Sequence, residues 1–76
     1  MRIEWSVAAQ ASARRYMADQ SGMRTIAAAV RGLAGDPNPP DGFVRGSYRR
    51  LRVGAYRVMY VVGDDVVTTE RVDRVI

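Results

Sequence analysis

The stretch Tyr48–Tyr60, YRRLRVGAYRVMY, constrains this chain more than any other. Two runs of alternating side chains meet at Gly54-Ala55. Gly in the first central position of a two-residue loop, with β-branched and aromatic residues on both sides, marks a tight hairpin with a type II′ turn. The turn sets the register: Val53 faces Tyr56, Arg52 faces Arg57, Leu51 faces Val58 and Arg50 faces Met59. Side chains alternate with period two, so Leu51, Val53, Tyr56, Val58 and Tyr60 share one face and Arg50, Arg52 and Arg57 the other. The first face is a core and the second a cluster of guanidinium groups. Like charges directly opposite each other destabilise a sheet by up to about 1 kcal/mol per pair. Two readings of the Arg cluster stand. It is a solvated face whose side chains splay apart, or it is an anion site, because guanidinium forks match phosphate oxygens two at a time.

The rest of the chain has little room for anything but this sheet and what covers it. With 76 residues it can build one small core, so residues 1–76 are expected to form a single domain. Apolar residues make up 47%, enough for a folded globule. Cys and His are both absent. That inventory excludes disulfides, thiolate metal sites, zinc enzymes and Ser-His or Cys-His hydrolases, and no cofactor or metal is expected. No apolar run approaches the roughly 20 residues of a membrane span and the N-terminus has no signal-peptide pattern, so a cytoplasmic protein without a membrane partner is expected. Net charge is +4, carried on twelve basic residues that are all Arg. An excess of that sign favours nucleic acid or another polyanion as partner through counterion release.

Taken in order, Arg2–Trp5 reads as a short strand with Ile3 and Trp5 on one face, and Ser6 as the cap of a helix from about Val7 to Gln20. Ser21 is the expected cap of a second helix, in which Met23, Ile26, Ala27, Val30, Leu33 and Ala34 keep the i, i+3, i+4, i+7 spacing of a buried stripe. Gly35 stands where a left-handed cap belongs, ahead of the turn-rich connection Asp36–Gly42. Strands are expected over Phe43–Val53, Tyr56–Val62 and Val66 to about Val72, with Gly63-Asp64-Asp65 as a second hairpin loop. The order is βααβββ, an α+β domain with a two-helix hairpin packed on an antiparallel sheet. Tyr48 falls on the Arg face, where it can stack on a base, and Met59 and Val61 share that face as an apolar floor.

That order, the opening IEWS, the helix end LAGDP, the Arg45-Gly46 step and above all RLRVGAYRVMY resemble the RelE/ParE toxin superfamily of bacterial type II toxin-antitoxin systems, over almost the whole chain. The resemblance implies a RelE-like fold. For the RelE-like branch it implies a ribosome-dependent mRNA endonuclease that arrests translation, with ribosome and mRNA as partners and a cognate antitoxin as silencer. The ParE-like branch instead inhibits DNA gyrase without nuclease activity, and a catalytically degenerate RNA-binding homologue is a further alternative. Residue by residue, Arg50 and Arg52 match the family's basic positions on the strand before the hairpin, and Arg57 matches the Arg that contacts phosphate near the cleaved bond. Arg74 stands near the family's C-terminal His or Lys. These four are the implied catalytic residues, and Arg45, Tyr48 and Arg49 the implied RNA contacts. The family's terminal aromatic is absent, and Asp73 stands where a Gly is usual. Glu70 and Asp73 are the carboxylates near the end of the last strand.

Overall fold

The computed structural model describes residues 1–39 and 42–76. Along the chain come β1 (Arg2–Trp5), α1 (Val7–Arg14), α2 (Gln20–Gly32), β2 (Gly42–Arg45), β3 (Tyr48–Val53), β4 (Tyr56–Val62) and β5 (Val66–Arg74). The five strands form one sheet in the order β1-β5-β4-β3-β2. The Gly54-Ala55 turn joins β3 to β4 in the expected register, Val53 with Tyr56, Arg52 with Arg57, Leu51 with Val58 and Arg50 with Met59. Gly54 has φ of 58° and Ala55 stays at negative φ, the combination that a type II′ turn requires.

The α+β architecture is as read, with two refinements. The run Phe43–Val53 is two strands, because Gly46, at φ 60°, turns the chain back with Ser47 and pairs Arg45 with Tyr48 and Phe43 with Arg50. The sheet therefore ends in a second hairpin built on the same device as the first. The sheet is also mixed, since β1 runs parallel to β5. Of the expected connection Asp36–Gly42, Pro40 and Asp41 lie outside the described residues.

Helix boundaries move for physical reasons. Ser6 caps α1 as expected, its hydroxyl accepting the Ala9 amide at 3.0 Å. However, α1 stops at Arg14, and the second cap is Asp19 rather than Ser21: the Asp19 carboxylate accepts the Gly22 amide at 2.9 Å. Gly35 has no left-handed φ; Leu33, Ala34 and Gly35 end the helix through tightened i→i+3 bonds.

The core is α2 laid on one face of the sheet. Ile26, Val30 and Leu33 pack against Leu51, Val53, Tyr56, Val58, Tyr60, Val67 and Val72, all buried, with Met23 and Trp5 partly buried at the margin. The other helix does a different job. Beyond Thr69, β1 no longer covers β5, and an open strand edge is a template for unwanted pairing. Here α1 and the turn after it cover that edge with hydroxyls: Ser12 accepts from the Val72 amide at 2.9 Å and Tyr16 from the Arg74 amide at 3.3 Å, while Ser12 also donates to the Ala9 carbonyl. Among the described residues, no helix is long and apolar enough to cross a membrane.

Candidate functional site

The sheet face turned away from α2 is where the arginines gather. Arg52 and Arg57 are directly opposite, Arg50 lies opposite both Met59 and Phe43, and Arg45 lies opposite Tyr48. Phe43, Arg50, Arg52 and Arg57 line a shallow depression of about 240 Å³. The Arg50 guanidinium lies 4.8 Å from the centre of the Phe43 ring, a cation–π contact, and its Nε is buried without a hydrogen-bond partner. Arg52 folds back on the turn, donating from Nε to the Gly54 carbonyl at 2.6 Å. Arg57 has no acidic or carbonyl acceptor among the described residues, where the ion pairs are Arg2–Glu4 and Arg71–Asp73. Phe43 is 55% and Tyr48 42% exposed, high for aromatic rings in paired strands.

Five of the seven expected site residues thus meet on one face: Arg45, Tyr48, Arg50, Arg52 and Arg57. Arg49 and Arg74 do not. Arg49 alternates to the opposite face, where its guanidinium donates to the Pro37 carbonyl at 3.4 Å beside the Tyr60 hydroxyl, which donates to the same carbonyl at 3.0 Å. Arg74 pairs with Tyr56, packs 5.9 Å from that ring and donates to the Ile76 carbonyl. Its neighbours belong to the fold: the Tyr56 hydroxyl donates to Asp19 at 2.7 Å, and Tyr16 meets the Tyr56 ring edge-on at 5.3 Å. The hydrogen bond from Tyr56 and then the one from Gly22 hold the Asp19 carboxyl below its ordinary 3.8, and the same bond raises the Tyr56 hydroxyl above 10.0.

A β-bulge explains why Arg74 lies on the other face. β4 and β5 pair Tyr60 with Thr69 and Met59 with Arg71, leaving Glu70 unpaired between them. One extra residue inverts the alternation, so Arg71 and Asp73 join the Arg face and Arg74 leaves it. Arg71 donates to both Asp73 oxygens at 2.9 Å, which holds its guanidinium more firmly charged than usual. The sequence carries a trace of the bulge: Val67, Thr69 and Val72 are all fully buried, and the step of three between the last two breaks the period of two. Phe43 was legible only through the Gly46-Ser47 turn, which sets it opposite Arg50.

Beside the Arg cluster, across Met59, a groove of about 480 Å³ opens between α1 and the sheet, with Ala8, Ala11 and Arg15 on one wall and Tyr48, Met59 and Glu70 on the other. Among the described residues there is no group of three or more His, Cys, Asp or Glu able to hold a metal ion. The arrangement suits an extended polyanion: unpaired guanidiniums for phosphates, exposed rings for bases and a groove beside them.

No protein-family model matches the chain, and no curated protein sequence does. Among solved structures, it is similar to a chain of the toxin-antitoxin complex RelBE2 from Mycobacterium tuberculosis, at 23% identity and a TM-score of 0.70, over 96% of this chain and 95% of that one. The chain therefore has the fold of that RelBE2 chain, and the α+β, RelE-like architecture expected from its residues is the one it adopts.

Proposed function

We infer that this protein is a RelE-like toxin of a type II toxin-antitoxin system, an endoribonuclease that cuts mRNA on the ribosome and is silenced by a cognate antitoxin. The observation that carries the reading is the pair Arg52 and Arg57, set opposite each other with Arg50 beside them on the face turned away from α2. Neither charge repulsion nor the buried, unpartnered Arg50 Nε favours the fold. A bound phosphate relieves the repulsion.

In RNA cleavage of this kind the ribose 2′-hydroxyl loses its proton to solvent as its oxygen attacks the adjacent phosphorus and the P–O2′ bond forms. The bond to the 5′-oxygen of the next nucleotide breaks, and that oxygen takes up a proton from solvent to leave as a hydroxyl. Positioned donors that meet the charge developing on the phosphoryl oxygens supply much of the acceleration. Arg57 and Arg50 are free to do so, and Arg52 can after releasing the Gly54 carbonyl. Guanidiniums remain protonated, so they orient and stabilise without serving as bases. Tyr48 and Arg45, at the neighbouring turn, extend the contact along the strand of RNA.

One observation favours the ParE-like reading, a gyrase inhibitor that binds without cutting. Arg74 is turned to the other face and Asp73, the carboxylate opposite Arg57, is committed to Arg71, so no unengaged acid or base faces Arg57 directly; the unengaged Glu70 lies across Met59 in the neighbouring groove. Primer extension on a reporter mRNA in a cell-free translation system separates the two. Cuts within codons that need ribosomes are expected, whereas intact message together with inhibited gyrase supercoiling sinks the nuclease reading.

A further inference from the structure

The groove between α1 and β5 is larger than the depression over the Arg cluster and differs from it in chemistry. Its walls are apolar, from Ala8, Ala11 and Met59, with the half-exposed Tyr48 ring at one end. Its polar groups carry both signs: Arg15 from the turn after α1, Glu70 from the bulge and Arg71 beside it, with the Ser12 hydroxyl between. The bulge leaves Glu70 without a cross-strand neighbour, and its carboxylate meets no donor among the described residues. An unpaired acid on the rim of a strongly basic face weakens phosphate binding, so its presence there calls for a ligand group that donates.

We propose that this groove is a nucleobase site selective for guanine, with Glu70 reading the base of the nucleotide whose phosphate lies on Arg52 and Arg57. The proposal rests on the RNA-binding reading above and adds a specificity to it. The spacing fits: Met59 follows Arg57 by two residues on the same face, about 6.8 Å along the strand, close to the step from a phosphate to the base it carries. Slender apolar walls with an aromatic end suit an unstacked base, the usual target of sequence-specific RNA recognition. A carboxylate is acceptor-only and offers two oxygens side by side. Guanine alone presents two adjacent donors, N1–H and the 2-amino group, with no acceptor between them. Adenine and cytosine set a lone-pair nitrogen beside their amino group, and uracil flanks its N–H with two carbonyls. Arg15 completes the match as donor to guanine O6, while Arg71 stays tied to Asp73.

The test is titration of the 15N-labelled full chain with guanosine, adenosine, cytidine and uridine 3′-monophosphates, followed by backbone and Arg Nε–H shifts. Guanosine 3′-monophosphate should bind about tenfold more tightly than the other three and shift amides around Ala11, Met59 and Glu70. Glu70→Gln should reduce that preference to near unity while keeping the affinity for the others. Ala11→Phe, which fills the groove from the helix side and leaves Glu70 in place, should do the same. Arg57→Ala should weaken all four equally, and a guanine preference that survives there supports the groove apart from the phosphate site. Equal affinity for the four nucleotides, no binding of any, or a preference unchanged in both Glu70→Gln and Ala11→Phe overturns the proposal. Loss of cleavage on mRNA without loss of guanine preference would count against the nuclease reading only.

Discussion

On the helix-covered face of the sheet, Arg49 donates to the Pro37 carbonyl and Arg74 to the Ile76 carbonyl while packing near Tyr56. On the open face, Arg45, Arg50 and Arg57 meet no hydrogen-bond acceptor among the described residues, and Arg52 meets only a turn carbonyl. The same residue type, on the same strands, is absorbed by the fold on one side and left available on the other. What decides is the parity of the strand position. Arg49 and Arg74 reach backbone carbonyls, whereas Arg57 faces Arg52 on one side and, on the other, an Asp73 already held by Arg71, which leaves it available to an anion from outside.

The sharpest way to break this contrast is to truncate one arginine on each face. Arg57→Ala should leave the melting temperature unchanged or slightly raised, because a like-charged neighbour is gone, and should lower ribosome-dependent mRNA cleavage by about 10² to 10³. Arg49→Ala should do the reverse, a small loss of stability from the Pro37 contact with cleavage per folded molecule intact. Salt dependence reads the same division: Arg50→Ala and Arg57→Ala should each flatten the slope of log RNA affinity against log salt by about one unit, and Arg74→Ala should not. Equal losses for both faces would mean that the open arginines are no more than surface charge.

The hairpin, its register and the shared face of Tyr48, Arg50, Arg52 and Arg57 were legible because a single device, Gly54 at a two-residue turn, fixes alternation for several residues on each side. The same device at Gly46 was read through as part of one strand, since Phe43–Val53 is rich enough in strand formers to mask it, and Phe43 was lost with it. Arg74 and Arg49 lie on the other face for different reasons. Arg49 simply sits at the wrong parity between Tyr48 and Arg50. Arg74 is displaced by the bulge at Glu70, an irregularity marked in the sequence only by a shift from Thr69 to Val72. The cap at Asp19 is a local bond to the Gly22 amide that the competing Ser21 masked; only its second bond, from Tyr56, 37 residues away, lies beyond any local window.

That cap offers a way to weaken the covered face alone. A Cβ on Gly22 would come within 2.8 Å of the Tyr56 ring and crowd the Asp19 carboxylate. Gly22→Ala, which helix propensity by itself would favour, should therefore cost roughly 1–3 kcal/mol in denaturant unfolding and leave nucleotide affinity of the folded fraction unchanged. A stabilised Gly22→Ala protein would mean that the Asp19–Tyr56 contact yields freely.

The same contact predicts an acid limb. Asp19 has a depressed folded pKa, so its contribution is present in full above 3.8, its unfolded value, and is lost as pH falls through the lower folded value. Tyr56 is raised above 10.0, so its contribution holds below 10.0 and disappears as pH rises through the folded value. Thermal melts of the wild-type chain and Asp19→Asn should differ at neutral pH and converge in acid below 3.8. A gap that stays constant down that range would assign the cap to geometry rather than charge.

The smallest effect pits one buried, unpartnered polar atom on each face against the other: Thr69 Oγ1 beneath the helices and Arg50 Nε on the open side. Thr69 is fully buried, so no ligand can reach its hydroxyl, and its desolvation is an uncompensated cost. Thr69→Val removes the hydroxyl at nearly constant shape and should stabilise the fold by about 1 kcal/mol, with RNA affinity unaltered. Arg50 Nε is buried too, but its side chain lines an open depression with Arg52 and Arg57, where a phosphate can engage the guanidinium. Arg50→Met keeps the length of the side chain and its packing on Phe43, so stability should hold or rise slightly while RNA affinity falls. Denaturant unfolding and RNA titration of the two variants together decide the matter. If Thr69→Val is destabilised, its hydroxyl has a partner inside the core. If Arg50→Met binds RNA as well as the wild type, the orphan on the open face is a defect of packing like the one beneath it, and the asymmetry between the two faces loses its functional meaning.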